Sequence, residues 1–171
     1  MKLKLLIAAV AIVVVGCKAQ SNDTAPSVTN TWLDKPAAEQ AQAIRNGTLT
    51  SEQLVTGYLA RIEERDKKVN SILVLNSNAI AQAKAADEQA QKGTFTGPLH
   101  GIPVLLKDNI EASELPTTAG SMALVNNRTG RDAPIVANLK AAGAIILGKT
   151  NLSEWANFRS ESSISGWSAV G

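Results

Sequence analysis

The sequence predicts an α/β fold in which N-terminal helices lead into a sheet that is at least partly parallel. Three observations carry that reading. An apolar run from Ile102 to Leu106 stops abruptly at Lys107-Asp108-Asn109. A helical stretch begins at Asp132-Ala133-Pro134, and a second apolar run, Ala144 to Gly148, follows it. Strand, loop, helix and strand in that order form a βαβ-type unit, whose strands pair in parallel.

Taken from the start, the first sixteen residues read as a secretory signal rather than as part of the fold. Lys2 and Lys4 precede an apolar stretch from Leu5 to Val15, and no acid occurs before Asp23. That stretch is too short to span a bilayer as a helix. It runs into Val14-Val15-Gly16-Cys17, which resembles the lipobox of bacterial lipoproteins. The resemblance implies cleavage before Cys17, acylation of that residue and a membrane-anchored location in the cell envelope, at the outer membrane if the cell has two. Cys17 is the single cysteine, so no intramolecular disulfide is available. Lys18 to Asn30 is polar and reads as a tether, giving a division into signal (1–16), lipidated cysteine and tether (17–35) and domain (36–171).

Within the domain, Pro36 to Arg45 reads as a short helix closed by Asn46-Gly47. Thr50-x-x-Gln53 is a capping box that opens the next helix, with Leu54, Tyr58, Leu59, Ile62 and Val69 recurring near helical period. A further helix, rich in Ala and Gln, runs from about Ser77 to Lys92 and stops at Gly93. These helices read as scaffold. Gly97-Pro98 is a turn into the first apolar run. Pro134 starts the helix that Gly143 ends, with Ile135, Val136 and Leu139 facing inward.

Composition excludes several functions. The chain has 171 residues, 44% of them hydrophobic and 19% charged, which is ordinary for a folded domain. Aromatics at 4% are too few for a surface that stacks single-stranded nucleic acid. Setting aside residues 1–16 removes two of the 17 basic residues and none of the 15 acids, so the mature chain is formally neutral and no nucleic-acid partner is implied. His100 is the only histidine, which leaves neither a Ser-His-Asp triad nor a histidine-rich metal site; no metal and no cofactor is expected. It reads as packing beside the Pro98 turn.

Gly143 to Thr150 spells G-A-I-I-L-G-K-T and matches the phosphate-binding P-loop pattern in letters only. In a P-loop the strand precedes the first glycine, and the four variable residues form a loop that offers amides to phosphate. Here those four are themselves the strand candidate, so no nucleotide is expected. Lys149-Thr150-Asn151 reads instead as a strand-end turn beside the site.

Lys107 is the residue with chemistry to explain. A lysine at the end of a buried strand loses hydration, which disfavours its ammonium form and allows the neutral amine to act as a base near neutral pH. The alternative is a strand-end lysine that carries its amine to solvent.

The neighbouring segments decide between them. Gly97-Pro98-Leu99-His100-Gly101-Ile102-Pro103-Val104-Leu105-Leu106-Lys107-Asp108-Asn109 comes first, then Thr117-Thr118-Ala119-Gly120-Ser121. Asp132-Ala133-Pro134-Ile135-Val136 and the stretch Ala141 to Ala156 follow. In content and order these resemble the N-terminal part of the amidase signature family of serine hydrolases. Asn157-Phe158-Arg159-Ser160 through Ser165-Gly166-Trp167-Ser168 is similar to a secreted branch that includes bacterial peptide amidases. The resemblance covers roughly Pro36 to Gly171.

What it implies is a Ser–cis-Ser–Lys triad. A neutral lysine takes a proton from a bridging serine, which activates a nucleophilic serine against an amide carbonyl. Lys107 stands at the position of the catalytic lysine. The two serines of the family lie in a Gly-Ser-rich stretch that this chain does not contain, and Ser162-Ser163 and Ser165-Gly166 lack the flanking glycines of such a loop. The expectation is therefore a truncated front portion of an amidase, with part of a mixed or parallel sheet, inactive alone on small amides or peptide C-terminal amides. A lipid-anchored, non-catalytic binding or scaffold remnant is the alternative. Further residues with possible roles are Asp108, which would orient Lys107 or cap a turn, and Gly120 and Ser121, which would place an amide and a hydroxyl near the lysine amine. Asn157 would contact the substrate amide.

Overall fold

The computed structural model describes residues 30–157 and 167–171. Helices α1 (Asn30–Leu33), α2 (Ala37–Arg45) and α3 (Ser51–Arg65) come first, and strand β1 (Ile72–Leu75) follows. Then come α4 (Ala79–Gln91), β2 (Pro103–Lys107), α5 (Pro134–Ala141) and β3 (Ile145–Thr150), with short 3-10 turns at Asp66–Lys68, Met122–Leu124 and Glu154–Asn157. The residues assigned to signal, lipid anchor and most of the tether lie outside the described part, as do Ser160, Ser162, Ser163 and Ser165. Among the described residues no helix is long and apolar enough to cross a membrane.

The helix signals in the sequence act as chemistry says they should. Thr50 accepts from the Gln53 amide while the Gln53 side chain accepts from the Thr50 amide, so the capping box is complete. The Asp87 carboxylate, reaching over from α4, takes the next two free amides, those of Ser51 and Glu52, at 2.7 and 2.9 Å. Helices α2, α4 and α5 end in the same Schellman bonding, with Gly47, Gly93 and Gly143 at φ 75°, 72° and 91°. Pro134 occupies the first turn of α5. Asp132 does not cap that helix, however, and Ile135 is 57% exposed, so the inward face of α5 is set by Val136 and Leu139 alone. Val69 lies beyond the end of α3 and is 69% exposed.

The sheet has the order β1-β3-β2, with β2 parallel and β1 antiparallel to the central β3. The parallel pair is the predicted βαβ unit. Strand β1 was not foreseen: Ile72-Leu73-Val74-Leu75 is four residues with no alternation, and such a run has no periodicity to separate it from a helix end. One face of the sheet packs α3 and α4 through Val55, Ala79, Ala83, Leu105, Ile145 and Leu147. The other packs α5 and the connection after β2 through Val104, Leu106, Ala112, Leu115, Val136 and Ile146. A third apolar group joins α1, α2 and α3 to Ile102, immediately before β2.

Register shifts on both sides of β3 give the fold its decisive local feature. Val104 pairs with Ile146 but Leu105 pairs with Gly148, so Leu147 is an extra residue. Side chains alternate along a strand, and one inserted residue reverses the face of everything after it. Lys149 therefore shares a face with Leu106 and Val74, not with Ile145 and Leu147. Gly148 makes the bulge possible, because a Cβ there would stand 2.4 Å from the Val74 carbonyl oxygen. Gly148→Ala is expected to cost about 1–3 kcal/mol through forced displacement of β1. A lowered urea midpoint at unchanged slope would register that cost.

Candidate active site

The parallel strands β2 and β3 end side by side, with Lys107 opposite Thr150 and Leu106 opposite Lys149. In open α/β sheets this carboxyl end is where ligands bind. A cleft of about 400 Å³ lies against the start of β3, at Gly143 to Ile146, and none of Lys107, Asp108 and Lys149 lines it.

Among the described residues Lys149 is the buried lysine. It is fully inaccessible, and its Nζ donates to Asp108 Oδ1 at 2.9 Å, Thr117 Oγ1 at 2.9 Å and the Pro116 carbonyl at 3.1 Å. Three acceptors match the three hydrogens of an ammonium. Asp108 is equally buried, and its second oxygen accepts from both the amide and the hydroxyl of Thr118. The expected turn at Lys149-Thr150-Asn151 is thus corrected. Lys149 and Thr150 belong to β3, and the register shift swings the lysine inward against the acid. The letters of the P-loop pattern form strand, not a phosphate loop.

The Asp108 carboxylate makes no hydrogen bond to the Lys107 amine; it is taken by Lys149 and Thr118. Its backbone is anchored as well: the Asp108 amide donates to the Thr150 carbonyl at 3.1 Å, and its own carbonyl accepts from the Ala119 amide at 3.0 Å. Lys107 itself ends β2 with an exposed side chain, and its carbonyl accepts from the Ile110 amide at 2.9 Å. The apolar enclosure expected around its amine is not formed by the described residues, because Leu106 takes the inward face of the strand end and Lys107 the opposite one.

Gly120 and Ser121 are brought next to Asp108 through the Thr117–Ser121 loop, but their amides are already used. Gly120 N–H donates to Thr118 Oγ1 at 3.1 Å, and Ser121 N–H to the Thr118 carbonyl at 2.9 Å. Neither amide is available to a ligand in this arrangement. Ala119 and Gly120 hold φ of 52° and 75°, and their carbonyls accept from the amides of Trp155 and Ala169. Segment 167–171 is thereby pinned to the same end of the sheet as Lys107, with Gly171 against the Asn151 side chain. Asn157 closes the 3-10 turn Glu154–Asn157, and its side chain lies outside the described part. His100 sits away from this end: its Nδ1 accepts from the Thr96 amide, so Nε2 carries the proton donated to the Ala86 carbonyl at 2.9 Å.

A second charge cluster ties the connection between β2 and α5. Lys140 Nζ meets Asp132 at 2.9 Å and Glu114 at 2.5 Å. Burial works against the Lys140 ammonium, but bonds to Glu114 and Asp132 outweigh it and raise its pKa above 10.5. Burial likewise opposes Asp132, and the Ser113 amide and Lys140 overcome it, holding the carboxyl below 3.8. A depressed acid contributes stability above its unfolded pKa that is lost as pH falls through the folded value; a raised lysine contributes below its own and loses it as pH rises. The cluster is therefore at full strength at neutral pH. Lys140→Met is expected to cost about 1–2 kcal/mol at pH 7. The gap in melting temperature from the parent chain should narrow as pH falls below 3.8 and through the lowered value of the Asp132 carboxyl.

The chain is similar to known proteins in sequence and in fold. The amidase family profile matches residues 53–166. The crystal structure of native peptide amidase from Stenotrophomonas maltophilia is 45% identical, with a TM-score of 0.78 over 82% of this chain and 29% of that one. An amidase family protein from Bacillus anthracis is 37% identical, with a TM-score of 0.73 over 81% of this chain and 28% of its own. A glutamyl-tRNA(Gln) amidotransferase component from Streptomyces coelicolor is 46% identical over 121 residues, 70% of this chain and 24% of that protein. The chain spans about a quarter of the length of the curated relatives it matches.

Proposed function

Because this chain belongs to the amidase family, we propose that it is the front portion of an amide hydrolase and that Lys107 supplies the base. The observation that carries this reading is the position of Lys107 at the carboxyl end of a parallel strand. Its amine makes no hydrogen bond or ion pair among the described residues, while the neighbouring buried lysine is fully committed. In the reaction, the neutral Lys107 amine takes a proton from a bridging serine, which deprotonates a nucleophilic serine as it attacks the amide carbonyl. Both serines belong to the remainder of the longer enzyme, and the same remainder encloses the amine. Alone, the chain is inactive. Its substrates are small carboxamides or peptide C-terminal amides, and Cys17 carries the lipid that holds it at the cell envelope.

The test joins this chain to the part of the S. maltophilia peptide amidase that follows the matching region and measures ammonia release from a peptide amide. The chimaera should turn over and the chain alone should not. Lys107→Ala should lower turnover about 10²–10⁴-fold, the usual worth of a positioned base. An undiminished K107A chimaera would remove Lys107 from the mechanism. Amide turnover by the unaided chain would show that it needs no further polypeptide.

A further inference from the structure

Lys107 makes no side-chain bond among the described residues, so its place is fixed through its backbone alone. That backbone depends on the next residue. Asp108 is tied at its amide to Thr150, at its carbonyl to Ala119, and at its carboxylate to Lys149 and Thr118. A carboxylate with no exposure cannot keep such a position unless a counter-charge accompanies it. Among the described residues Lys149 is the only cation paired with it. Lys149 faces Asp108 only because the register shift at Leu147 turned it to that side.

We propose that Lys149 is a positioning residue: its buried ammonium holds the Asp108 carboxylate and, through Asp108, fixes the strand end that presents Lys107. The catalytic meaning of this arrangement rests on Lys107 being the base. The arrangement itself does not, and it is tested without any turnover. Thr117 takes part by accepting one of the ammonium hydrogens, so the loop that carries Ala119 and Gly120 is locked to the same pair. The device reaches Lys107 across the two strands and without contact to its amine.

A stabilising ion pair and a positioning one predict different results once the charge is removed in balance. In the double variant Lys149→Met/Asp108→Asn, no bare charge remains, and the asparagine carbonyl can still accept from the Thr118 amide and hydroxyl. With the labelled full chain, backbone ¹⁵N relaxation reads order at Lys107 and Asp108 directly. The expected result is a retained fold and a rigid Ile146, with order parameters at Lys107 and Asp108 falling from about 0.85 to below about 0.6. Undiminished order at Lys107 in a folded double variant overturns the proposal. Should that variant fail to fold, Thr117→Val, which keeps the ion pair and withdraws one acceptor from Lys149, decides instead. Increased motion at Lys107 with Ile146 unchanged supports the proposal, and an unchanged Lys107 overturns it. If the K107A chimaera keeps its activity, the reading of Lys107 as base fails while the relaxation result still stands by itself.

Discussion

Lys149→Met as a single change is expected to destabilise the chain by about 3–5 kcal/mol, a large part of the 5–15 kcal/mol that holds a typical domain together. Methionine fills nearly the same volume, so the loss is not a cavity. It arises because Asp108 is left as a lone charge with no exposure, still bonded to Thr118 but with its other oxygen deprived of its cation. Adding Asp108→Asn should return most of the lost stability, since removing both charges of a buried pair is far cheaper than removing one. Equilibrium urea unfolding of the three chains measures this. A single variant within about 1 kcal/mol of the parent would mean that the pair is not buried as described.

Leu54→Ala should cost about 2–5 kcal/mol. Leu54 has no exposure and packs with Leu33, Ile44, Leu49 and Ile102, joining three N-terminal helices to the residue that leads into β2. Truncation removes apolar contact on all of those sides at once, and the helices cannot all close in on the gap. The comparison that makes the number meaningful is Val69→Ala. It removes two methyl groups at a position 69% exposed, and should stay within about 0.5 kcal/mol of the parent chain.

Much of this fold was legible because its signals are local. The Thr50 capping box, the glycines at 47, 93 and 143, Pro134 and the two apolar runs around α5 each specify their element through a few neighbouring residues, and each element formed. The family resemblance was legible for a similar reason, since it rests on contiguous segments. What the sequence hid was non-local. Strand β1 exists because β3 offers it an edge, and nothing in Ile72 to Leu75 announces that. The inward turn of Lys149 depends on a register shift against two partner strands, so simple alternation, which would put it with Leu147, gives the wrong face. The exposure of Lys107 follows from the same counting: Leu106 is the inward residue, and an apolar run ending in lysine does not say which face the lysine takes. That the Gly120 and Ser121 amides are spent on Thr118 was not legible either, because how loop amides satisfy one another is a matter of conformation rather than composition. The clue that existed for Lys149 was Gly148, a residue without a Cβ in the middle of a strand, which often marks a bulge.

The Asp108–Lys149 pair also bears on how this chain reaches its native state. Its two members lie on either side of α5, so neither ion can leave water comfortably until both strands and the helix between them have come together. Any half-assembled form would have to hide one ion without the other or leave that edge wet. Partial structures in this region are thereby penalised, and the unit from β2 to β3 should gain and lose its order in one cooperative step.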